Sequence, residues 1–191
     1  MAVFLSKGEN YTDEERQIIC FGLESLEGNL LGIVLTVTIG IGFKQVGEAL
    51  LLWLLLFPLR KNAGGYHAAT KTRCLFVSAV ILIIAFMFLA VVEGTMIIYG
   101  VCAMVAGCVI WFLAPVDNLS KKLDAVECKV YRRRTRIVLG VEGAIFILAL
   151  CLKWALVAKM ITIAYLIVSI CLFMGLVNSS VCKNLNERSN L

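Results

Sequence analysis

The chain has 191 residues, of which 61% are hydrophobic and 16% are charged, and its mean hydropathy is +0.92. A soluble domain is nearer about half apolar and about a quarter charged, so this composition excludes an ordinary soluble enzyme. The bilayer core takes roughly 20 apolar residues per helix, and the length therefore allows about five or six crossings. The net charge is +5, and the basic residues flank the apolar runs instead of lining one nucleic-acid-binding face. We expect an all-α polytopic membrane protein without a nucleic-acid partner.

The N-terminal region predicts a helix that begins at a capping box. The Thr12 hydroxyl can accept a hydrogen bond from the Glu15 amide while the Glu15 carboxylate reaches back. Residues 12–28 are predicted to form an amphipathic helix at the membrane surface. Its apolar stripe consists of Ile19, Leu23, Leu26 and Leu30. One alternative stays open, in which this segment forms the polar first turns of the first span. No cleavable signal peptide is expected, because most of the first 17 residues are polar and no small-residue cleavage site follows an early apolar run.

Six apolar runs predict six membrane spans. They cover approximately residues 30–43, 46–59, 72–92, 96–113, 137–152 and 160–177. With six crossings, the connections alternate between the two sides of the membrane, and one side carries 15 of the 18 lysines and arginines. The positive-inside rule makes that side cytoplasmic, together with both termini and the loop between the second and third spans. Five crossings would weaken this asymmetry, so six are preferred.

The remaining motifs exclude several classes of enzyme. The chain has eight cysteines but no CxxC pair, and most cysteines lie in apolar runs, where they are expected to be small buried hydrophobes. With a single histidine, a Cys/His zinc site is not expected. The sequence also lacks HExxH, GxGD, GxSxG and GxxxxGK[ST] motifs. No metal or nucleotide cofactor is therefore implied.

The segment from Pro58 to Ser78 concentrates the chemically useful residues. It holds His67, the only histidine, together with Cys74, the pair Gly64-Gly65 and four basic residues. On one helix, His67 and Cys74 would lie roughly 10 Å apart along the axis, which exceeds the ~3 Å that a base needs to reach its nucleophile. The glycine pair allows the chain to bend back.

Cys74 is expected in the first turn of the third span. The helix dipole and the free amides there stabilise a thiolate, and Arg73 and Lys71 add positive charge. The sequence thus predicts a cysteine nucleophile with a histidine base. The alternative, in which Cys74 is a buried small residue and His67 an interfacial loop residue, stays open on spacing alone.

Two motifs extend this hypothesis by resemblance. Arg60, the run from Ala63 to Ala68 (AGGYHA) and Cys74 resemble the signature of the accessory gene regulator B (AgrB) family of quorum-sensing membrane endopeptidases. The run from Ala114 to Asn118 (APVDN) resembles the second motif of that family, after the fourth span. One departure follows Asp117, where many members read Asn-Lys-Pro and this chain reads Asn-Leu-Ser-Lys-Lys.

The resemblance implies a substrate, a reaction and a location. The substrate would be an AgrD-like propeptide with an amphipathic leader, a signal region and an acidic tail. Cys74, assisted by His67, would cleave before the tail and form a thioester, which a cysteine or serine of the peptide would then attack to close a thiolactone or lactone. The resemblance also implies a homodimer in the bacterial cell membrane, in contact with its lipids, with the catalytic loop facing the cytoplasm.

Other residues are candidates for substrate binding or oxyanion stabilisation, each with a simpler alternative. Arg60 could bind the acidic tail or set topology, Gly64 and Gly65 could aim an amide at the oxyanion or form a turn, and Asp117 could orient His67 or be a solvated acid. Glu142 is an intramembrane acid that could instead pair with Arg136. The basic cluster Arg132, Arg133 and Arg134 could bind the acidic tail or act as a topology determinant and lipid anchor.

The main alternative from another class is a small membrane transporter or a scaffold for a signalling peptide. It predicts polar residues along a path through the membrane. Only Glu48, Glu142 and Lys153 or Lys159 approach the bilayer, and all lie near the ends of spans. The enzyme hypothesis is therefore preferred.

Overall fold

The computed structural model describes residues 13–64, 71–91, 94–116 and 125–189, and these ranges form six helices without a strand. The predicted all-α fold is confirmed for this part of the chain. The helices are α1 (Asp13–Gly42), α2 (Val46–Ala63), α3 (Lys71–Val91), α4 (Met96–Leu113), α5 (Ala125–Cys151) and α6 (Ala155–Ser189).

Two helical segments of the described residues are long and apolar enough to cross a membrane. They are Met96–Leu113, which is all of α4, and Ala155–Val177 within α6. Shorter apolar stretches occupy Leu26–Gly42 in α1 and Leu75–Leu89 in α3. These features support a helical membrane protein, and the count of six crossings stays a prediction.

The N-terminal amphipathic segment and the first predicted span form one unbroken helix, α1. A continuous helix fits both the amphipathic helix and the alternative in which the polar residues are the first turns of that span, so both stay open, and Thr12 lies outside the described residues. The hydroxyl of Thr36 donates to the Gly32 carbonyl oxygen at 2.8 Å, which satisfies a polar side chain inside the apolar half. A tight turn leads into α2, where a Cβ at Gly40 would lie 2.5 Å from the Ala49 Cβ, so glycine permits close packing.

Helix α2 continues through Pro58 to Ala63, four residues beyond the predicted end of the second span at residue 59. Proline lacks the amide hydrogen that would bond to the preceding turn. The helix nevertheless continues to Ala63, and in the turn after Pro58 the Asn62 side-chain amide donates to the Pro58 carbonyl oxygen at 2.7 Å. Arg60 therefore lies in the last turn of a helix and not in a loop.

Helix α6 is the centre of the bundle and packs against α2, α3, α4 and α5, most extensively against α4. Two hydroxyls add interhelical hydrogen bonds to α4: Thr162 donates to the Tyr99 carbonyl oxygen at 3.3 Å and Ser169 to that of Ala106 at 3.0 Å. Within a bilayer, such bonds and close packing of small residues hold helices together. The fully buried side chains of α6 include Met160, Ile161, Val168 and Leu172.

Helix α3 lies at the edge of the bundle, where it packs mainly against α1 and touches α6. Its C-terminal end is tied to α6, because the Lys159 Nζ donates to the Leu89 carbonyl oxygen at 2.6 Å. One of its faces carries exposed apolar side chains, namely Phe76, Ile84 and Met87. The helix that carries Cys74 near its start thus has few neighbours among the described residues.

Helices α5 and α6 extend beyond the predicted fifth and sixth spans. Helix α5 begins at Ala125, twelve residues before the predicted span at 137, and α6 covers Ala155–Ser189 where the span was predicted at 160–177. Hydropathy marks only the apolar part of a helix, whereas backbone hydrogen bonding continues through polar residues. The second half of the long polar connection is therefore helical.

Candidate functional site

Gly64 ends α2 in a backbone conformation that favours glycine. Its φ is 71° and its ψ is −143°, and its N–H donates to the Arg60 carbonyl oxygen at 3.3 Å. Residues with a side chain rarely adopt positive φ in combination with an extended ψ. Gly64 therefore uses the backbone freedom of glycine to end α2, and the predicted fold-back of the chain toward Cys74 lies outside the described residues.

A backbone contact joins this bend to the segment that follows α4. The Val116 N–H donates to the Ala63 carbonyl oxygen at 3.1 Å, and Gly64 and Val116 form a parallel bridge. A Cβ at Gly64 would overlap the Val116 carbonyl oxygen. We call this arrangement of Ala63, Gly64 and Val116 the backbone clamp. It brings together the two segments that the sequence singles out as motifs, which are more than 50 residues apart.

The predicted nucleophile lies at the start of a helix. Helix α3 begins at Lys71, so Cys74 occupies its first turn, as the sequence predicts. The side chain of Cys74, and the residues Gly65, His67 and Asp117, lie outside the described part of the structure. The contact between the thiol and the imidazole therefore stays a prediction.

The basic cluster on α5 has two unlike sides. Arg132, Arg133 and Arg134 are all exposed. Arg132 and Arg133, but not Arg134, line a shallow depression of about 320 Å³ that is completed by Lys129, Arg136 and Ile137. The Arg136 guanidinium lies over the Trp111 ring of α4, 4.5 Å from the ring centroid. Neither Trp111 nor Val116 is among the site residues predicted from the sequence, although Val116 lies within the second motif.

Glu142 is buried inside the bundle, with 4% of its surface exposed. Its Oε2 has no hydrogen-bond partner among the described residues. Arg136, the alternative partner, stacks on Trp111 instead. Glu142 is close enough to Tyr165 of α6 for the two groups to interact electrostatically, and the Tyr165 hydroxyl donates to the Leu139 carbonyl oxygen at 3.3 Å. Within the described ranges, no group of His, Cys, Asp and Glu could hold a metal ion.

The fold and these segments define a helical membrane protein in which two interhelical connections meet at one backbone contact. Comparison with known protein families identifies the family within this class. The model of the family described as accessory gene regulator B matches residues 1–177. The chain therefore belongs to the AgrB family, which takes part in agr quorum sensing.

Two relatives from Clostridium perfringens are similar along almost their whole length. A protein named as AgrB-like from strain SM101 is 27% identical over 194 residues, which covers 95% of this chain and 91% of the relative. A second AgrB-like protein, from strain 13, is 26% identical with the same coverage. No solved structure matches the chain.

Proposed function

We propose that this protein is a membrane cysteine endopeptidase that removes the acidic tail of an AgrD-like propeptide and promotes closure of the peptide ring. The backbone clamp is the observation that carries the proposal. It fixes the start of the segment that bears His67 against the second motif, and Cys74 lies in the first turn of the helix that follows this segment. A base and a nucleophile must be held at hydrogen-bonding distance, and a fixed bend supports that geometry.

The proposed reaction has two acyl transfers. The Cys74 thiolate attacks the carbonyl carbon before the tail, the C–N bond breaks, and the departing amine takes a proton from the His67 imidazolium. The peptide remains as a thioester on Cys74. The now neutral His67 takes the proton from a cysteine thiol of the peptide. The resulting thiolate attacks this thioester, the bond to Cys74 breaks, and a thiolactone forms while the Cys74 thiolate and the His67 imidazolium are restored. A serine hydroxyl in that place gives a lactone.

Water exclusion decides between ring closure and hydrolysis in this scheme. Exchange between two thioesters is nearly balanced in energy, so the ring forms only if water is kept from the acyl-enzyme. Departure of the cleaved tail then draws the reaction forward. A site at the membrane interface, on a helix with apolar outer side chains such as Phe76 and Ile84, provides suitable surroundings.

Basic and backbone groups would hold the substrate and the developing charge. In this proposal Arg60, at the last turn of α2, binds acidic groups of the tail or the oxyanion. The amides at Gly64 and Gly65 are the oxyanion donors, and Asp117 orients His67. We further propose that two copies associate in the cell membrane and that this site faces the cytoplasm.

The proposal is tested by co-expressing the chain with the propeptide encoded beside it. Cys74→Ser and His67→Ala should each reduce cleavage by at least about 100-fold, the lower range for losing an acid–base or nucleophilic group. Cys108→Ser is the matched control, because Cys108 is a free, exposed cysteine on α4, and it should cleave normally. Mass spectrometry of the wild-type enzyme should detect an acyl group on Cys74. Normal cleavage by Cys74→Ser would rule out this mechanism.

The burial of Glu142 favours the transporter alternative, so this alternative is tested by a separate experiment. A buried acid with one carboxylate oxygen free of hydrogen bonds within the described residues is typical of a polar path through a membrane. If the protein moves a peptide, Glu142→Gln should abolish release of the peptide outside the cell while cleavage continues. If the protein acts only as an endopeptidase, cleavage and release should change together. Quantifying cleaved tail inside and cyclic peptide outside the cell separates the two.

A further inference from the structure

We infer that the first turns of α5 bind the phosphate headgroup of an anionic glycerophospholipid. Four cationic residues share one face of this helix, at the spacing i, i+3, i+4 and i+7. We call this face the basic stripe, and it consists of Lys129, Arg132, Arg133 and Arg136. Together with Ile137 these side chains line one depression of about 320 Å³, whose lining contains no carboxylate.

Trp111 fixes part of this depression in advance. The Arg136 guanidinium stacks on the Trp111 ring of α4 at 4.5 Å from its centroid, and such a cation–π contact restricts an otherwise mobile side chain. Arginine also presents a planar fork of donors that matches phosphate oxygens. The basic stripe is therefore arranged for a phosphate group before any ligand arrives.

The position along the helices favours a lipid. Ile137 begins the predicted fifth span, and Trp111 lies two residues before the end of α4, where an interfacial aromatic is expected. Large apolar side chains are exposed at these two positions. Ile137 itself is 56% exposed, and Phe112, the neighbour of Trp111 in the chain, is 79% exposed. A phospholipid matches both features, since its phosphate can meet the cations while its acyl chains lie along the apolar side chains. Basic pockets at the cytoplasmic face of helical membrane proteins bind anionic headgroups in this way.

Arg134 provides an internal control for this inference. Successive residues turn by about 100° around a helix, so Arg134 projects away from the basic stripe. It is exposed, like Arg132 and Arg133, but is not part of the lining of the depression. Binding that depends on the stripe should therefore distinguish Arg134 from Arg132 and Arg133, whereas a general attraction of positive charge should not.

The test measures lipid binding to the purified full-length chain in detergent by native mass spectrometry. The probes are dioleoylphosphatidylglycerol and, as the zwitterionic comparison, dioleoylphosphatidylcholine. We expect the anionic lipid to bind more tightly. Arg132→Gln and Arg133→Gln should each weaken it by about fivefold, the worth of one basic residue at an anionic surface, and the double variant by about 25-fold. Arg134→Gln should remain within about twofold of the wild type.

Three results would overturn the inference. The first is equal binding of the two lipids, and the second is a loss of binding in Arg134→Gln equal to that in Arg132→Gln. The third is displacement of the lipid by a synthetic acidic peptide whose own binding is weakened by Arg132→Gln and Arg133→Gln but not by Arg134→Gln. That result would make the stripe a peptide-binding surface. The charge-conserving double variant Arg132→Lys, Arg133→Lys guards against misfolding and should keep most of the preference for the anionic lipid. Because binding is measured without propeptide, the result does not depend on the proposed peptidase activity.

Discussion

At the scale of single residues, Gly64 has the strictest backbone requirement in the candidate site. Its dihedral angles fall where a side chain costs about 1–3 kcal/mol, and a Cβ added to it would overlap the Val116 carbonyl oxygen. Gly64→Ala should therefore displace the backbone clamp and lower kcat for propeptide cleavage by at least about tenfold, with a smaller change in KM. Steady-state kinetics on purified enzyme in vesicles measure both constants.

Two further variants separate this effect from general damage. Gly47→Ala changes a glycine of the same helix where a Cβ meets no atom within 4 Å, and it should leave cleavage unchanged. Val116→Pro keeps Gly64 but removes the N–H that donates to Ala63, so it should reproduce the loss of kcat. Full activity in both Gly64→Ala and Val116→Pro would show that the clamp does not position the catalytic residues.

The sequence predicts chemistry at this scale better than it predicts contacts. Residue types and spacing single out Cys74, and its place in the first turn of a helix is confirmed. They do not reveal that Arg134 differs from Arg132, because that difference depends on which side of α5 faces the depression. Nor do they pair Arg136 with Trp111, since this contact joins two different helices.

At the scale of helices, the Lys159 side chain is the tie that holds the C-terminal end of α3 to the bundle. A hydrogen bond from a charged donor contributes about 1.5–3 kcal/mol. Lys159→Met keeps the apolar stem but removes this donor, so amides in the last turns of α3 should exchange with deuterium at least about tenfold faster. Hydrogen-exchange mass spectrometry measures this rate.

Lys153→Met is the matched control, because Lys153 is an exposed lysine in the turn before α6. Its exchange in α3 should equal that of the wild type. Unchanged exchange in Lys159→Met would mean that packing against α1 alone fixes α3.

The observed helix bounds agree with those predicted from the sequence where the helix ends at the same residue as its apolar run. Helix α4 covers the predicted residues 96–113. Helix α5 begins twelve residues earlier than its predicted span because its first turns are polar but still helical. Helix α2 outlasts Pro58, since losing one amide donor does not end a helix whose next turn is otherwise bonded.

At the scale of the whole molecule, the charge asymmetry makes a prediction about topology. In a variant without native cysteines, single cysteines replacing Lys44 or Lys153 should react with a membrane-impermeant thiol reagent added to intact cells. A cysteine replacing Arg133 should react only after the cells are opened, because 15 of 18 basic residues are predicted to face the cytoplasm. Labelling of Lys44 and Lys153 positions from opposite sides would reject six crossings.

Composition predicts the class of this molecule, whereas the arrangement of its helices had to come from the structure. Both α3 and α6 are rich in apolar residues, yet α6 is central and α3 lies at the edge. Hydropathy does not distinguish them, because lipid and a protein interior select similar side chains. Close packing by small residues such as Ala158 and Ala164 and hydroxyl bonds from Thr162 and Ser169 make α6 the interior helix.

The lengths of α1 and α6 have a practical consequence for studying the protein. At about 1.5 Å per residue, the 30 residues of α1 and the 35 residues of α6 span about 45 Å and 52 Å, against about 30 Å for a bilayer core. Each helix must therefore tilt strongly or extend beyond the bilayer core into water. Spectroscopic labels along each helix would then report the angle between that helix and the bilayer.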